Sequence, residues 1–281
     1  MKSALIAVLL LLTSSLFAQH HACCVVDPIV AMKTMAADPN FARLHAEPLP
    51  YPGPTPAAGT TVSFATGDGR TGSGYLVKGA DTTKMLFVFQ EWWGLNDYIK
   101  EETERLSKDL GVSAIALDLY DGKVATTREQ AQEYVKSLTT DRGLAIIKGA
   151  FAYFGNAKKY ATIGWCMGGM WSMKAAIAGT DYNVVGCVVY YGMPERDPNV
   201  LAALDAPVLG IFAKKDQSIT PEIVKEAQKA FKTAKKKMTV HFYDAVHAFA
   251  NPSNPNHDAK AAANAYKKTL AFLKKQLKKK K

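Results

Sequence analysis

With 281 residues, of which 48% are hydrophobic and 21% charged, the chain has the composition of a globular protein. That composition excludes a disordered or collagen-like chain, and four cysteines are too few for a scaffold built on disulfides. Much of the formal net charge of +10 comes from six lysines among the last eight residues. Because no aromatic residues interleave with these lysines, they do not indicate a nucleic-acid groove; they predict the solvated end of a helix, with binding to an anionic surface as the alternative.

The first 18 residues predict a secretory signal peptide. One basic residue, Lys2, precedes an apolar run over residues 4–12, and a stretch of small residues ends at Ala18 before Gln19. The apolar run is too short to span a bilayer, and no later stretch is long and apolar enough to do so. We therefore expect an exported protein, secreted or periplasmic, with no transmembrane segment once residues 1–18 are removed.

The next segment, residues 19–59, predicts a proline-rich extension outside the folded domain. It begins with His20, His21, Cys23 and Cys24, which could bind a metal but would form a weak site in a flexible tail. Disorder, or a disulfide to another chain, is the favoured interpretation. No helical periodicity is visible over residues 27–59, and five prolines alternate near its end: Pro48, Pro50, Pro52, Pro54 and Pro56. Since proline fixes φ, this stretch predicts an extended, helix-free arm over the domain surface.

Residues 60–281 alternate strand and helix patterns with short connections. A glycine-rich hairpin is predicted over residues 61–78, apolar strands over 84–89, 112–119, 161–165, 184–190 and 207–213, and an alternating strand over 238–243. Helices are predicted over 97–110, 127–138, 141–154 and 170–178, with a last one starting near residue 258. This alternation predicts an α/β fold with a doubly wound, mostly parallel sheet and active residues at the carboxyl ends of strands. No insertion is long enough for a separate lid domain, and Cys187 is interpreted as a core residue.

The turn after the strand at 161–165 carries the pattern of a nucleophile elbow, Gly164-Trp165-Cys166-Met167-Gly168. A nucleophile on a sharp strand-to-helix turn is strained, so the residues two positions away on either side must be small. The helix that follows directs its N–H groups at the site, where they can stabilise an oxyanion and lower a thiol pKa. An incidental buried cysteine in a glycine-rich turn is the alternative interpretation.

An acid and a histidine follow later strands in the order that such a triad requires. Asp216 comes after the strand at 207–213, and His247 after the strand at 238–243. The other histidines lie in the tail or extension, within a strand or at a helix start (His20, His21, His45, His241 and His257). Asp244 is close to His247 in sequence and stays open as the acid, whereas Asp118 lies inside a predicted strand and is interpreted as structural. Glu91, at the end of a buried strand, is either a surface charge or part of the site.

Four separated motifs occur in a fixed order along the chain: Gln90-Glu91-Trp92-Trp93-Gly94, Ala116-Leu117-Asp118-Leu119-Tyr120, Gly164-Trp165-Cys166-Met167-Gly168-Gly169 and His247-Ala248-Phe249. Together they resemble the dienelactone hydrolase family, from about residue 60 to the C-terminal helix. The resemblance implies an α/β-hydrolase fold and makes Glu91 the carboxylate that contacts the nucleophile's thiol. In the dienelactone enzymes proper, an arginine four residues after the histidine holds the substrate carboxylate. Asn251 stands at that position here, and a second substrate-binding arginine has no clear counterpart after Tyr120.

These observations predict an ester or lactone hydrolase with a Cys166-Asp216-His247 triad and a thioester acyl-enzyme, in which Glu91 regulates the thiol. Backbone N–H groups of Met167 and Trp92 are predicted to form the oxyanion hole. The pocket candidates are mostly aromatic: Trp93, Tyr120, Tyr191, Phe249 and Asn251. No metal, organic cofactor or nucleic acid is implied, the expected partner is a small-molecule ester or lactone, and we expect a monomer. The alternative is a secreted ligand-binding protein that keeps the fold without turnover.

Overall fold

A computed structural model describes residues 26–156 and 158–278 of the chain. Its eight strands are β1 Thr60–Ala65, β2 Thr71–Val77, β3 Asp81–Phe89, β4 Val112–Leu117, β5 Lys159–Trp165, β6 Asn183–Tyr190, β7 Val208–Ala213 and β8 Met238–Tyr243. The helices of this part are α1 Pro28–Ala37, α2 Pro39–Leu44, α3 Asp97–Leu110, α4 Arg128–Ser137, α5 Thr140–Phe154, α6 Met167–Ala178, α7 Pro198–Leu201, α8 Pro221–Thr233 and α9 Ala259–Lys278.

All eight strands belong to one sheet, in the order β1-β2-β4-β3-β5-β6-β7-β8. The pairs β1–β2 and β2–β4 are antiparallel, and every pair from β4 to β8 is parallel. The predicted mostly parallel sheet is therefore confirmed. Because the parallel strands all point the same way, the loops that follow β3, β5, β7 and β8 meet at one edge.

Helices cover both faces of the sheet, which explains the unbroken apolar runs in the sequence. The helices α3 and α9 pack together, with α3 against β4 and α9 against β6, while α5 and α6 pack together, with α5 against β1 and β2 and α6 against β3, β5 and β6. Every residue of β4 and of β7 is buried as a result. Strands buried on both faces carry continuous apolar sequences because neither face meets water.

The helix predicted over residues 97–110 begins and ends at the residues that the sequence indicates. The Asn96 side chain accepts a hydrogen bond from the Ile99 N–H at the start, and Gly111 adopts a left-handed conformation with φ 70° at the end. Asparagine and glycine are the residue types that favour these two positions. The end of β4 differs from its prediction: the strand ends at Leu117, so Asp118 lies in the loop beyond it and accepts from the Tyr120 and Gly122 N–H groups.

The N-terminal arm, residues 26–59, contains the helices α1 and α2, so the prediction of a helix-free arm is wrong over residues 28–44. Asp27 and Asp38 each cap a helix that begins with proline, because their side chains accept from the N–H groups of Ile29 and Asn40. The apolar face of α1 is buried against the domain. The stretch after α2, with its alternating prolines, contains no helix or strand over residues 46–59, as expected.

Several predictions fall outside the described residues. These are the signal peptide at residues 1–18, the cysteines and histidines at residues 20–24, and the last three lysines. None of the helices in the described part of the chain combines the length and hydropathy that crossing a bilayer would require.

Candidate active site

The candidate nucleophile lies at the turn between β5 and α6. Cys166 has φ 53° and ψ −119°, a strained conformation for a residue with a side chain. The turn is so tight that a Cβ on Gly164 would lie 2.0 Å from the Gly168 carbonyl oxygen, and one on Gly168 would lie 2.2 Å from that of Phe89. Both positions of the elbow pattern therefore require glycine.

The Tyr120 hydroxyl contacts both predicted oxyanion-hole residues, Trp92 and Met167. It lies 3.1 Å from the Trp92 carbonyl oxygen and 3.2 Å from Met167 Sδ. Met167 is the first residue of α6, so its N–H has no acceptor within the helix. The backbone N–H of Trp92 makes no hydrogen bond within residues 26–156 and 158–278. The Trp92 N–H is thus free to bind a developing negative charge, while the Met167 N–H faces the Cys166 sulfur and lowers the pKa of that thiol.

Of the two candidate acids, Asp216 is the one that contacts His247. The His247 Nδ1 lies 2.6 Å from Asp216 Oδ2, and the N–H groups of Ser218 and Ile219 donate to the other carboxylate oxygen. A carboxylate accepts, so Nδ1 carries the proton and Nε2 is left with its lone pair when the ring is neutral. Asp244 is exposed instead and pairs with Lys215.

The electrostatics of Cys166, His247 and Asp216 favour a thiol that is neutral at rest and can lose its proton to His247. Burial raises the pKa of the Cys166 thiol, and His247 offsets that only in part. Burial also disfavours a charged His247, yet the Asp216 carboxylate raises the pKa of His247 well above its usual value. Desolvation acts on Asp216 too, but His247 holds the pKa of Asp216 below its usual value. A neutral thiol thus faces a histidine whose basicity is raised.

Glu91 is buried after β3, but its hydrogen-bond partners do not include the thiol. The Tyr191 hydroxyl donates to Oε1 at 3.2 Å, and Asn251 Nδ2 donates to Oε2 at 2.5 Å. Burial raises the pKa of Glu91 to about 7, against the opposing effects of His247 and these two donors. The contact with the Cys166 thiol that the resemblance implies is not among the hydrogen bonds of the described residues. Glu91 instead acts on Cys166 through its charge.

Asn251 has both ends of its side chain engaged within the protein. Its Nδ2 donates to Glu91, and its Oδ1 accepts from the backbone N–H and the hydroxyl of Ser253. A cavity of about 50 Å³ is lined in part by Glu91 and Asn251. The residue at this position, Asn251, thus holds Glu91 by a hydrogen bond.

The remaining aromatic pocket candidates are all buried and differ in their distance from His247. The Tyr191 ring centroid is 5.0 Å from that of His247, and Tyr191 has a strained backbone with φ 35°. Phe249 is fully buried behind Tyr191, with 5.7 Å between the ring centroids, and Trp93 packs edge-on against Trp92. Tyr191 lines the site, whereas Phe249 and Trp93 support its wall.

His45 is a site residue that sequence reasoning missed. Its ring centroid lies 4.8 Å from that of His247 and 4.7 Å from that of Trp92. Its Nδ1 donates to the Phe41 carbonyl oxygen at 2.7 Å, so the lone pair is on Nε2, which is buried without a hydrogen-bond partner in the described chain. Burial, followed by the nearby His247, lowers the pKa of His45 to about 3.

The sequence did contain a signal for the helices that carry His45. An aspartate followed by proline occurs twice in the arm, at residues 27–28 and 38–39, and this pair marks a helix start. Nothing local in the sequence points His45 towards His247, because the two residues lie at opposite ends of the chain. Together with Cys166, they bring three ligand atoms of metal-binding type to within 4.8 Å of one another.

Comparisons with known proteins agree with this architecture. The sequence profile of the dienelactone hydrolase family matches residues 73–277. Carboxymethylenebutenolidase 1 of Cupriavidus pinatubonensis is 28% identical over 73% of this chain and 92% of its own length. Carboxymethylenebutenolidase of a Pseudomonas species is 27% identical over 75% of this chain and 92% of its own length.

Solved structures share the fold at lower identity. The crystal structure of dienelactone hydrolase from Anabaena variabilis has a TM-score of 0.57 and 15% identity, covering 80% of this chain and 100% of that chain. A dienelactone hydrolase-like promiscuous phosphotriesterase from metagenomic libraries has a TM-score of 0.63 and 23% identity, covering 78% and 99%. The N-terminal arm lies outside the matched family region. The family match, which spans most of the chain, shows that this protein belongs to the dienelactone hydrolase family and is an ester or lactone hydrolase with the α/β-hydrolase fold.

Proposed function

We propose that the protein cleaves a small ester or lactone through a thioester acyl-enzyme, with Cys166 as nucleophile and His247, oriented by Asp216, as base and acid. One observation carries this proposal: a strained cysteine at a strand-to-helix turn lies beside a histidine whose Nδ1 is held 2.6 Å from a buried carboxylate. That combination of nucleophile, base and orienting group defines the triad in physical terms.

In the acylation step, His247 Nε2 takes the proton from the Cys166 thiol as Sγ attacks the carbonyl carbon. The carbonyl π electrons move to the oxygen, which the N–H groups of Met167 and Trp92 stabilise by about 3 kcal/mol per donor. When the intermediate collapses, the bond to the leaving oxygen breaks and protonated His247 gives that oxygen its proton. In a lactone substrate, the leaving alcohol stays attached to the acyl group.

Deacylation repeats the sequence with water as the nucleophile. His247 takes a proton from water, hydroxide adds to the thioester carbonyl, and the same two N–H groups bind the oxyanion. The carbon–sulfur bond then breaks, and His247 returns the proton to Sγ as the carboxylic acid product forms. The resting enzyme is regenerated with a neutral thiol, which burial favours.

On substrate choice, we propose that the enzyme discriminates poorly in favour of carboxylated dienelactones over neutral esters or lactones of similar size. Asn251 replaces the arginine that grips a carboxylate, and it offers no charge-assisted, bidentate contact. Such contacts are typically worth about 1.5–3 kcal/mol, or roughly one to two decades in kcat/KM. Steady-state kinetics with matched neutral and carboxylated lactones test this, and a preference for the carboxylated compound above that range contradicts it.

Export is also part of the proposal. Residues 1–18 carry the pattern of a signal peptide, and cleavage between Ala18 and Gln19 would release the chain outside the cytoplasm as a monomer. Intact-mass measurement of exported protein decides the processing, since a chain that still carries Met1 to Ala18 would refute it. Size-exclusion chromatography with light scattering tests the monomer.

The decisive test of the reaction is turnover of p-nitrophenyl acetate by wild type and by Cys166→Ala. We expect activity to fall by at least about 10³-fold in the variant, because the loss of a nucleophile removes the covalent pathway. Cys187→Ala is the matched control, since that thiol lies fully buried within β6. Rapid acid quenching followed by mass spectrometry should find an acyl group on Cys166. Equal turnover by Cys166→Ala and wild type would contradict Cys166 as the nucleophile, and no turnover of any ester or lactone by wild type would leave a ligand-binding protein as the better description.

A further inference from the structure

Three side chains with the chemistry of transition-metal ligands lie close together where the N-terminal arm meets the domain. One ring nitrogen of His45, one of His247 and the Cys166 sulfur lie within 4.8 Å of one another. All three side chains are shielded from solvent, with Cys166 at 4% and the His247 side chain at 9% exposure. The triad uses two of these residues, and the proposed hydrolysis has no role for the third.

The two imidazoles are oriented in the way that metal-binding histidines usually are. Each donates its Nδ1–H to an oxygen atom, His45 to the Phe41 carbonyl and His247 to the Asp216 carboxylate. Such bonds fix the tautomer and the ring orientation, so that the lone pair is presented on the other nitrogen. Both Nε2 atoms are buried without a hydrogen-bond partner in the described chain. Buried acceptors of hydrogen bonds are rarely left without a partner. These two nitrogen atoms and the thiol sulfur are therefore three neighbouring atoms that can each donate a lone pair to a metal ion.

We propose that His45, Cys166 and His247 form a zinc-binding site that switches the hydrolase off reversibly. Two imidazoles and a thiolate are the ligand types that Zn²⁺ takes in proteins, and three protein ligands leave a fourth position for water. Binding of Zn²⁺ displaces the proton of the Cys166 thiol to solvent and forms the bond between Sγ and the metal. Because the metal occupies both the nucleophile and the base, the bound form cannot begin acylation.

Metal binding requires a small closure of the site, and the arm can provide it. Bond lengths of about 2.0 Å to nitrogen and 2.3 Å to sulfur in a tetrahedron put ligand atoms roughly 3.3–3.6 Å apart. Because the ligand atoms are now up to 4.8 Å apart, the most distant pair must approach by up to about 1.5 Å. His45 is carried by a segment that joins the domain mainly through side chains, such as the bond from Arg128 Nε to the His45 carbonyl oxygen. The cation enters when that segment opens locally, so slow binding is expected.

The test uses the full chain with the alternative ligands removed. Residues 20–24 carry two histidines and two cysteines, so the parent protein carries His20→Ala, His21→Ala, Cys23→Ser and Cys24→Ser. Co²⁺ serves as the spectroscopic probe, and Zn²⁺ as its competitor, each added until the absorbance stops changing. We expect one equivalent of Co²⁺ to produce a thiolate-to-cobalt charge-transfer band, which Zn²⁺ abolishes.

Substitutions assign the three ligands. His45→Asn keeps a donor that can reach the Phe41 carbonyl oxygen and removes the Nε2 ligand. Loss of an outer-shell partner typically weakens metal affinity by about 10–100-fold, so loss of a ligand should weaken it by at least about 100-fold. Cys166→Ala should abolish the band and is a second variant if His45→Asn does not fold. His257→Ala, which removes an exposed histidine outside the cluster, should bind as the parent does.

The site shares Cys166 and His247 with the proposed function, but binding is measured without substrate, so the two proposals can fail separately. Inhibition by Zn²⁺ is then measured relative to the metal-free activity of each variant. The result expected is a shift to about 100-fold higher Zn²⁺ in His45→Asn, in step with its weaker Co²⁺ binding. The proposal is overturned if the parent shows no charge-transfer band, or if His45→Asn binds Co²⁺ as tightly as the parent.

Discussion

The α/β domain and the N-terminal arm are held in place by different kinds of interaction. In the domain, neighbouring strands share backbone ladders, and the strands beside the elbow are almost wholly buried. The arm has no strand in the described residues and joins the domain mainly through side chains. Examples are the Asp27–Lys174 ion pair at 2.7 Å and the bond from Gln132 Nε2 to the Ala36 carbonyl oxygen at 2.7 Å.

This difference indicates that the domain provides most of the stability of the fold, whereas the arm controls access to the Cys166 thiol. Segments held by few buried contacts open with less free energy than the global unfolding of the domain. The arm nevertheless places Phe41 and His45 against Trp92 of the site. Substitutions in the domain should therefore unfold the protein, whereas substitutions in the arm should expose Cys166. Four predictions test this separation.

The largest effect is expected for Gly168→Ala in the domain. Its Cβ would lie 2.2 Å from the Phe89 carbonyl oxygen, and backbone cannot move away as a flexible side chain could. We expect a loss of more than about 3 kcal/mol in the free energy of unfolding, or no soluble protein, from overpacking. Urea denaturation measures this. Gly67→Ala is the control, because nothing lies within 4 Å of its Cβ position, and similar midpoints for the two variants would refute the prediction.

The second effect is expected for Phe41→Ala in the arm. Phe41 is buried and its ring centroid lies 5.4 Å from that of Trp92. Truncation of a core phenylalanine usually lowers stability by about 3–5 kcal/mol, but the arm can open without the domain. We therefore expect a smaller loss in global unfolding and at least about tenfold faster alkylation of Cys166 by iodoacetamide, equivalent to 1.4 kcal/mol of easier opening.

Val30→Ala serves as the control on the same arm, because that side chain is 54% exposed. Its alkylation rate should match that of wild type, which is itself slow at neutral pH because burial keeps the thiol neutral. If Phe41→Ala loses the full 3–5 kcal/mol in global unfolding with an unchanged alkylation rate, the arm and the domain unfold as one unit.

The third prediction concerns Glu91 on the domain side of the site and has a defined pH dependence. Its folded-state pKa is raised from 4.5 to about 7, so between these values the folded chain keeps a proton that the unfolded chain has lost. Wild-type stability should therefore fall as pH rises through this window, and Glu91→Gln should not show that contribution. The variant should gain on the order of 1–3 kcal/mol relative to wild type between about pH 4.5 and 8.

Urea denaturation at a series of pH values measures this gain, and Glu133→Gln, which alters an exposed carboxylate of α4, is the control. Parallel pH profiles for wild type and Glu91→Gln would contradict the prediction. Alkylation of Cys166 gives a second readout. It should be faster in Glu91→Gln, because a negative charge beside the thiol disfavours a second anion, while hydrolysis becomes slower.

The smallest effect is expected for Asp27→Asn. Asparagine caps a helix as well as aspartate does, so the change removes the charge opposite Lys174 and keeps the cap of α1. Exposed ion pairs are typically worth about 0.2–1 kcal/mol, so the alkylation rate of Cys166 should rise no more than about fivefold. The rise should disappear at high salt, and a rise that persists there would contradict it. Asp38→Asn, the same change at the cap of α2, is the control.

Much of the fold was predictable because its signals are local. The helix at 97–110 is bounded by Asn96 and Gly111, whose preferences depend on their own backbone conformations. The strands that lead to Cys166 and Asp216 are continuous apolar runs, typical of strands buried on both faces. The two short helices of the arm also had a local sequence signal, the Asp-Pro pair at the start of each. That signal was overlooked because further prolines follow it in the same arm.

The amino-acid sequence by itself determined the order of the strands, the tight turn at Cys166 and the candidates for nucleophile, acid and base. Each of these depends on residues close together in the chain. Only the tertiary structure decided that Asp216 rather than Asp244 meets His247, that Glu91 bonds to Tyr191 and Asn251, and that His45 covers the site. Those contacts join residues that are distant in sequence, and side-chain packing between separate elements selects among them.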